Sequence, residues 1–223
     1  MVIGITIGIT KEYESLWING IKLNALFLAN ALKQIDEHEV WILDTSRKLE
    51  DLNKVMWDTN RFPTKNFYEV YKDVDVLITL GTSFPEESLK AFKDISPNKR
   101  VVKYMCGNNY TVDMERSLFT DGKSLGRAAW DVGADEVWYV PQQGYQNHHY
   151  YQTIFRCPAI PVPFMWDPMF LEMDRDVRVK LGKNLPDYVA RPASEKKISV
   201  FEPNLNTVKY AMIPILIAEQ SFR

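Results

Sequence analysis

Val2-Ile3-Gly4-Ile5-Thr6-Ile7-Gly8-Ile9 decides the fold class of this chain. The run is almost entirely apolar and β-branched, with no polar residue at alternate positions. A strand with one wet face alternates, whereas a strand covered on both faces reads as a continuous apolar run. The stretch is therefore expected to be a central strand of a parallel sheet. Parallel strands need long crossovers, so helices are expected on both sides of it.

Working outward, the polar residues Thr10 to Ser15 lead into a helix expected from about Leu16. Its residues Ile18, Ile21, Ala25, Leu28, Leu32 and Ile35 step by threes and fours, which defines one buried face. His38-Glu-Val-Trp-Ile-Leu-Asp44 reads as a second strand, and Ser46 to Asn66 as a polar, irregular stretch with one short helix. Asp75 to Gly81 is the expected third strand, followed by a helix with Pro85 in its first turn. Arg100 to Gly107 and Glu136 to Val140 follow as the fourth and fifth strands. A helix is expected over Gln143 to Phe155, and Pro158 to Phe164 reads as a sixth strand, placed at the edge by its prolines. Strands alternating with helices predict an α/β fold, a doubly wound Rossmann-like parallel sheet, over residues 1–165. Residues 166–197 have linker composition, with charges, Gly182, Pro186 and Pro192. Residues 198–223 read as the first strand and helix of a second, truncated Rossmann-like domain.

Composition narrows the classes of function. The chain has 223 residues, 46% of them hydrophobic, and a net charge of −2, so no global basic field attracts nucleic acid or anionic membrane. Cys106 and Cys157 follow no metal or disulfide spacing, which fits a reducing, cytoplasmic setting. The apolar N-terminus lacks a basic region and a cleavage site and is too short to span a bilayer, so no membrane span is expected.

In doubly wound sheets ligands sit beyond the carboxyl ends of the strands. The loop after the first strand, Gly8 to Gly20, holds Glu12 and Glu14 as acidic candidates and Lys11 as a phosphate partner. It ends on Asn19 and Gly20, a polar point of close approach. The plain alternative is a solvated loop with Ser15 capping the helix. No Gly-x-Gly-x-x-Gly and no Walker-type loop occurs, which disfavours dinucleotide enzymes and P-loop NTPases. Gly81 and Thr82 end the third strand, and Gly107 and Asn108 end the fourth. Either loop reads equally as ordinary turn chemistry, and two on one sheet edge shift the balance modestly toward a site. No metal site is expected. His38 reads as structural, the adjacent His148 and His149 do not share a helix face, and Asp73-x-Asp75 and Asp174-x-Asp176 read as chance. In the last segment Glu202, Asn204 and Lys209 lie where a strand ends and a helix begins. A bound anion there turns an unfavourable lysine into a ligand.

Several stretches are distinctive: Ile3 to Gly8, Glu14 to Leu28, Asp135 to Gln142, Val162 to Pro168 and Ile198 to Arg223. In these the chain resembles a poorly characterised bacterial and phage family placed among GT-B-type glycosyltransferases. The resemblance implies two Rossmann-like domains, the N-terminal one receiving the acceptor and the C-terminal one holding a nucleotide sugar. It implies a further domain beyond Arg223, and an incomplete chain without it. Many such transferases use an Arg and a Lys five residues later to neutralise the donor diphosphate; here Asn204 stands in the arginine position and Lys209 in the lysine position. The implied activity is metal-independent transfer of a sugar from a nucleotide-sugar co-substrate to a glycan or small acceptor, with no other cofactor and Glu14 or Glu12 as the base. A non-catalytic ligand-binding or assembly module is the alternative from another class, and a phage DNA-base glycosyltransferase a further one. Nucleic acid is disfavoured because Asp113, Glu115, Asp121 and Asp131 interleave with the basic residues around them.

Overall fold

The computed structural model describes residues 1–9, 20–35, 37–46, 55, 57–107, 132–141 and 147–167. The chain divides into two compact units, and every described residue belongs to the first, Met1–Asn108 with Gly126–Asp174. The proposed start of a second domain at 198–223 lies outside the described residues.

Seven strands form one sheet: β1 (Val2–Ile7), β2 (Glu39–Asp44), β3 (Thr64–Asn66), β4 (Val76–Thr79), β5 (Arg100–Met105), β6 (Glu136–Tyr139) and β7 (Ala159–Pro161). All the pairings are parallel, in the order β3-β2-β1-β4-β5-β6-β7. The order reverses between β1 and β4, the signature of a doubly wound, Rossmann-like sheet. Among the described residues four helices accompany it: α1 (Gly20–Lys33), α2 (Phe67–Val70), α3 (Glu86–Lys93) and α4 (Asn147–Phe155).

The apolar run that set the fold class is buried on both faces. Ile3, Ile5, Ile7 and Ile9 pack with Ala25, Leu26, Leu28 and Ala29 of α1, and with Val40, Ile42, Ile78 and Val102 of neighbouring strands. The opposite face carries Trp41, Leu43, Leu77 and Val101 under Phe67 of α2 and Leu89 and Phe92 of α3. Val137, Tyr139 and Ala159 meet Tyr151 and Phe155 of α4 in a third cluster. Each such Leu, Ile or Phe contributes about 1.5–3 kcal/mol of transfer free energy. Glu86 and Glu87 in the first turn of α3, with Lys90 and Lys93 in its last, complement the helix dipole.

The amino edge of the sheet is closed by carboxylates. The Val2 amide donates to Asp75 Oδ2 at 2.8 Å, and the Val101 amide to Asp135 Oδ2 at 2.8 Å. Lys93 Nζ lies 3.1 Å from Asp135 Oδ1. Asp75 thus has a structural role in Asp73-x-Asp75, pairing a strand-end amide.

The structure corrects several expected elements. A seventh strand, β3, lies within the stretch read as irregular, pairing Thr64, Lys65 and Asn66 with Ile42, Leu43 and Asp44. Three residues of polar composition carry no periodicity to detect. Ile35 is not on the buried face of α1; the helix stops at Lys33 and Ile35 is 49% exposed. Pro85 caps α3 and does not occupy its first turn. The edge strand is only Ala159–Pro161, and Val162 and Met165 beyond it pack against the α1-side core.

Candidate functional site

The topological switch point lies between β1 and β4, at the carboxyl ends of the strands. There β1 runs into Gly8, where a Cβ would meet nothing within 4 Å. Among the described residues nothing crowds that position. Gly81, after β4, has φ +70, and a Cβ there would come 2.6 Å from Ile21 Cγ2 in the first turn of α1. Glycine at 81 therefore lets the N-terminus of α1 close over the end of β4.

Three strand ends are joined by polar side chains on the face covered by α2 and α3. Thr45, which follows β2, donates its hydroxyl to Ile7 O at 3.1 Å, and its Oγ1 lies 2.8 Å from Thr82 Oγ1. A threonine hydroxyl has one proton, so with Thr45 donating to Ile7 it is Thr82 that donates to Thr45. Lys103, on β5, extends its ammonium to Thr82 O at 3.3 Å and Ser83 Oγ at 3.3 Å. It is only 7% exposed. Tyr68 of α2 completes the row, its hydroxyl donating to Thr45 O at 3.4 Å while 39% of the residue stays exposed. Its ring is held edge-on by Phe67, with centroids 5.3 Å apart. The result is a polar shelf of four hydroxyls and one ammonium along the carboxyl edge.

Asp44 at the end of β2 occupies the place where many Rossmann sheets keep a ribose-binding acid. Here it is internally engaged. Oδ1 accepts from the Ile9 amide at 2.9 Å and the Ser46 amide at 3.0 Å, and Oδ2 from Ser46 Oγ at 2.9 Å. Its role is to fix the turns after β1 and β2.

On the α1 side of β5, burial pushes the Cys106 thiol up to about 12, against a hydrogen bond from Tyr104 and the positive charge of Lys103. Tyr104 is also raised, first by burial and then by the neighbouring Cys106. Both are held in the protonated form near neutral pH, which disfavours the Cys106 thiolate. Among the described residues no group of three or more His, Cys, Asp or Glu side chains is placed to hold a metal ion. Among them, too, no helix is long and apolar enough to cross a membrane.

Of the residues expected at the site, Gly81 and Thr82 lie at the switch point, and Gly20 opens α1, exposed and with nothing within 4 Å of a Cβ among the described residues. Gly107 follows β5, and its carbonyl accepts from Tyr151 OH at 3.4 Å. Lys11, Glu12, Glu14, Asn19, Asn108, Glu202, Asn204 and Lys209 lie outside the described residues. The sequence reading missed Thr45, Tyr68 and Lys103. A lysine inside the apolar Val-Val-Lys-Tyr-Met strand was the available signal, since burying an ammonium without purpose is costly.

Among solved structures the chain is similar to the DNA/pantothenate metabolism flavoprotein from Streptococcus pneumoniae. Identity is 15%, covering 63% of this chain and 80% of that one with a TM-score of 0.28. That likeness carries no argument, and the fold stands on the strand order and pairing. No curated protein matches the chain. The family match extends over residues 3–223, and on that basis the chain belongs to the family described as Protein of unknown function (DUF2827).

Proposed function

We propose that this chain is the acceptor-side part of a GT-B-type nucleotide-sugar glycosyltransferase, working without a metal. The observation that supports the reading best is the shelf of Thr45, Thr82, Ser83, Tyr68 and Lys103 at the switch point of a Rossmann-like sheet. Hydroxyls that both donate and accept, beside an exposed ring, suit a polyhydroxylated acceptor. The proposed donor contacts are Lys209, Asn204 and Glu202, with lysine charge and helix amides stabilising the nucleoside diphosphate as it leaves. Glu14 or Glu12, in the sequence between β1 and α1, is the proposed base for the acceptor hydroxyl. The proposed partners are accordingly a nucleotide sugar and a glycan or small acceptor, in the cytoplasm.

Calorimetric titration with UDP, GDP and UDP-glucose, with and without magnesium, tests this reading. Saturable binding that does not depend on magnesium is expected, and Lys209→Ala is expected to weaken it with the fold unchanged. Absence of binding to every nucleotide under both conditions overturns the reading.

A further inference from the structure

We infer that residues 162–167 form a latched strap, which closes over the α1-side face of β5 and β6 and opens as a unit when the contact between Asp167 and Asn30 is released. The inference goes beyond the transferase reading and does not rest on it. Its parts are the end of β7, the strap itself and the C-terminal half of α1.

The Val162 amide donates to Tyr139 O at 2.9 Å, and the Val140 amide to Met105 O at 3.3 Å, so both ladders run one residue past their strands. The register then sets Cys106, Val140 and Val162 side by side, next to the row Tyr104, Trp138 and Ile160. All of these except Ile160 belong to the α1-side core layer. From Val162 the chain crosses to α1, where Asn30 Nδ2 donates to Asp167 Oδ2 at 2.5 Å. The four strand spacings from β7 to β1, under α1, come to about 19 Å, a span six extended residues can cover. Asn30 is itself steadied, its Oδ1 accepting from Arg61 Nη2 at 3.2 Å, which aims the amide nitrogen at Asp167. Val162 and Met165 turn into the core layer, whereas Phe164 is 43% and Trp166 59% exposed. The outward rings do little to hold the strap, and among the described residues Pro163 to Trp166 form no hydrogen bond. A segment kept down by two half-buried side chains and a polar latch opens at far less cost than the sheet beneath it. Asn30 belongs to α1 and alanine there favours the helix, so N30A releases the latch without loosening α1. Asp167 makes a further contact beyond Asn30, so D167A frees the strap at least as far.

The test uses Cys106, in the layer that the strap shares, as the reporter. In the full chain carrying C157S, which removes the other free thiol, Cys106 alkylation by iodoacetamide is timed by mass spectrometry at several urea concentrations. N30A and D167A are expected to speed it at least about ten-fold, the factor for losing one hydrogen bond to a charged group. T153A, which removes a helix-surface bond to His149 O far along the chain from the strap, is expected to leave the rate unchanged. Opening of a short strap exposes little surface, so the rate is expected to stay nearly flat below about 1 M urea. The urea unfolding midpoint of each variant gives the rise that global unfolding alone would cause. Unchanged rates in N30A and D167A, a rise no larger than lost global stability accounts for, or an equal rise in T153A overturns the proposal. So does a rate that climbs steeply from the first additions of urea. Should one latch variant fail to fold, the other carries the test, together with the urea response of the C157S chain.

Discussion

Replacing Gly81 with alanine tests the geometry that brings α1 to the site. The residue has φ +70, where a side chain costs about 1–2 kcal/mol relative to glycine. Its Cβ would also stand 2.6 Å from Ile21 Cγ2, so α1 or the end of β4 must shift, an overpacking cost of about 1–3 kcal/mol. The reduced freedom of alanine in the unfolded chain returns about 0.4–1 kcal/mol. The expected net loss is about 2–4 kcal/mol. With a urea slope of about 2 kcal/mol per molar, the midpoint should fall by about 1–2 M. Urea unfolding by circular dichroism, with amide exchange of the β4 residues as the local probe, measures it. The steric part is separable: Ile21→Ala removes the atom that the new Cβ meets. The double variant should therefore be less destabilised than the sum of the single ones, by about 1–2 kcal/mol. A Gly81→Ala loss under about 0.5 kcal/mol, or strict additivity with Ile21→Ala, would refute the placement of the α1 N-terminus over β4.

Further outcomes follow from the same contacts. Trp57 Nε1 donates to Thr64 Oγ1 at 2.9 Å, and Thr64 donates to Phe62 O at 2.9 Å. Thr64→Val strands the buried indole N–H and should cost about 1–3 kcal/mol in urea unfolding, more than the shape change alone explains. Asp135→Ala removes the acceptor of the Val101 amide as well as the Lys93 contact, and should cost about 1–3 kcal/mol. Lys93→Met removes a partly exposed ion pair and a hydrogen bond to the Gly133 carbonyl, and should cost about 1 kcal/mol, less than Asp135→Ala, so equal losses would contradict the assignment. Cys106 is raised from 9.0 to about 12, so the folded state holds its proton more tightly than the unfolded one. Its contribution to stability is therefore complete below about pH 9 and falls as pH climbs from about 9 towards 12. At pH 8 its alkylation in the folded protein should be far slower than in urea, and equal rates would show that the thiol is not buried.

Much of the fold was legible because burial on both faces leaves a plain mark in composition. Ile3 to Ile9, Val40 to Leu43 and Val101 to Met105 are apolar runs that few other settings require. Thr64–Asn66 was not legible, since its strand character comes from pairing with β2 and not from its own residues. The edge of the sheet was legible only as glycine and hydroxyl loops. Gly81 and Thr82 were readable because a strand end followed by a helix start needs them. Thr45 and Tyr68 lie on either side of a connection whose course the sequence did not reveal. They meet because β3 returns α2 to the end of β2. Lys103 required knowing which face of β5 looks towards the β4–α3 turn.

The measurement that bears most directly on the central claim is a backbone amide NMR titration of the full chain with UDP-glucose and, separately, with glucose. A site at the carboxyl edge predicts that glucose shifts the amides of Gly8, Thr45, Gly81, Thr82 and Ser83. It also predicts that Val2 and Val101, at the amino edge, stay in place. Shifts centred on the amino edge, or none from either ligand at saturating concentration, would contradict the account.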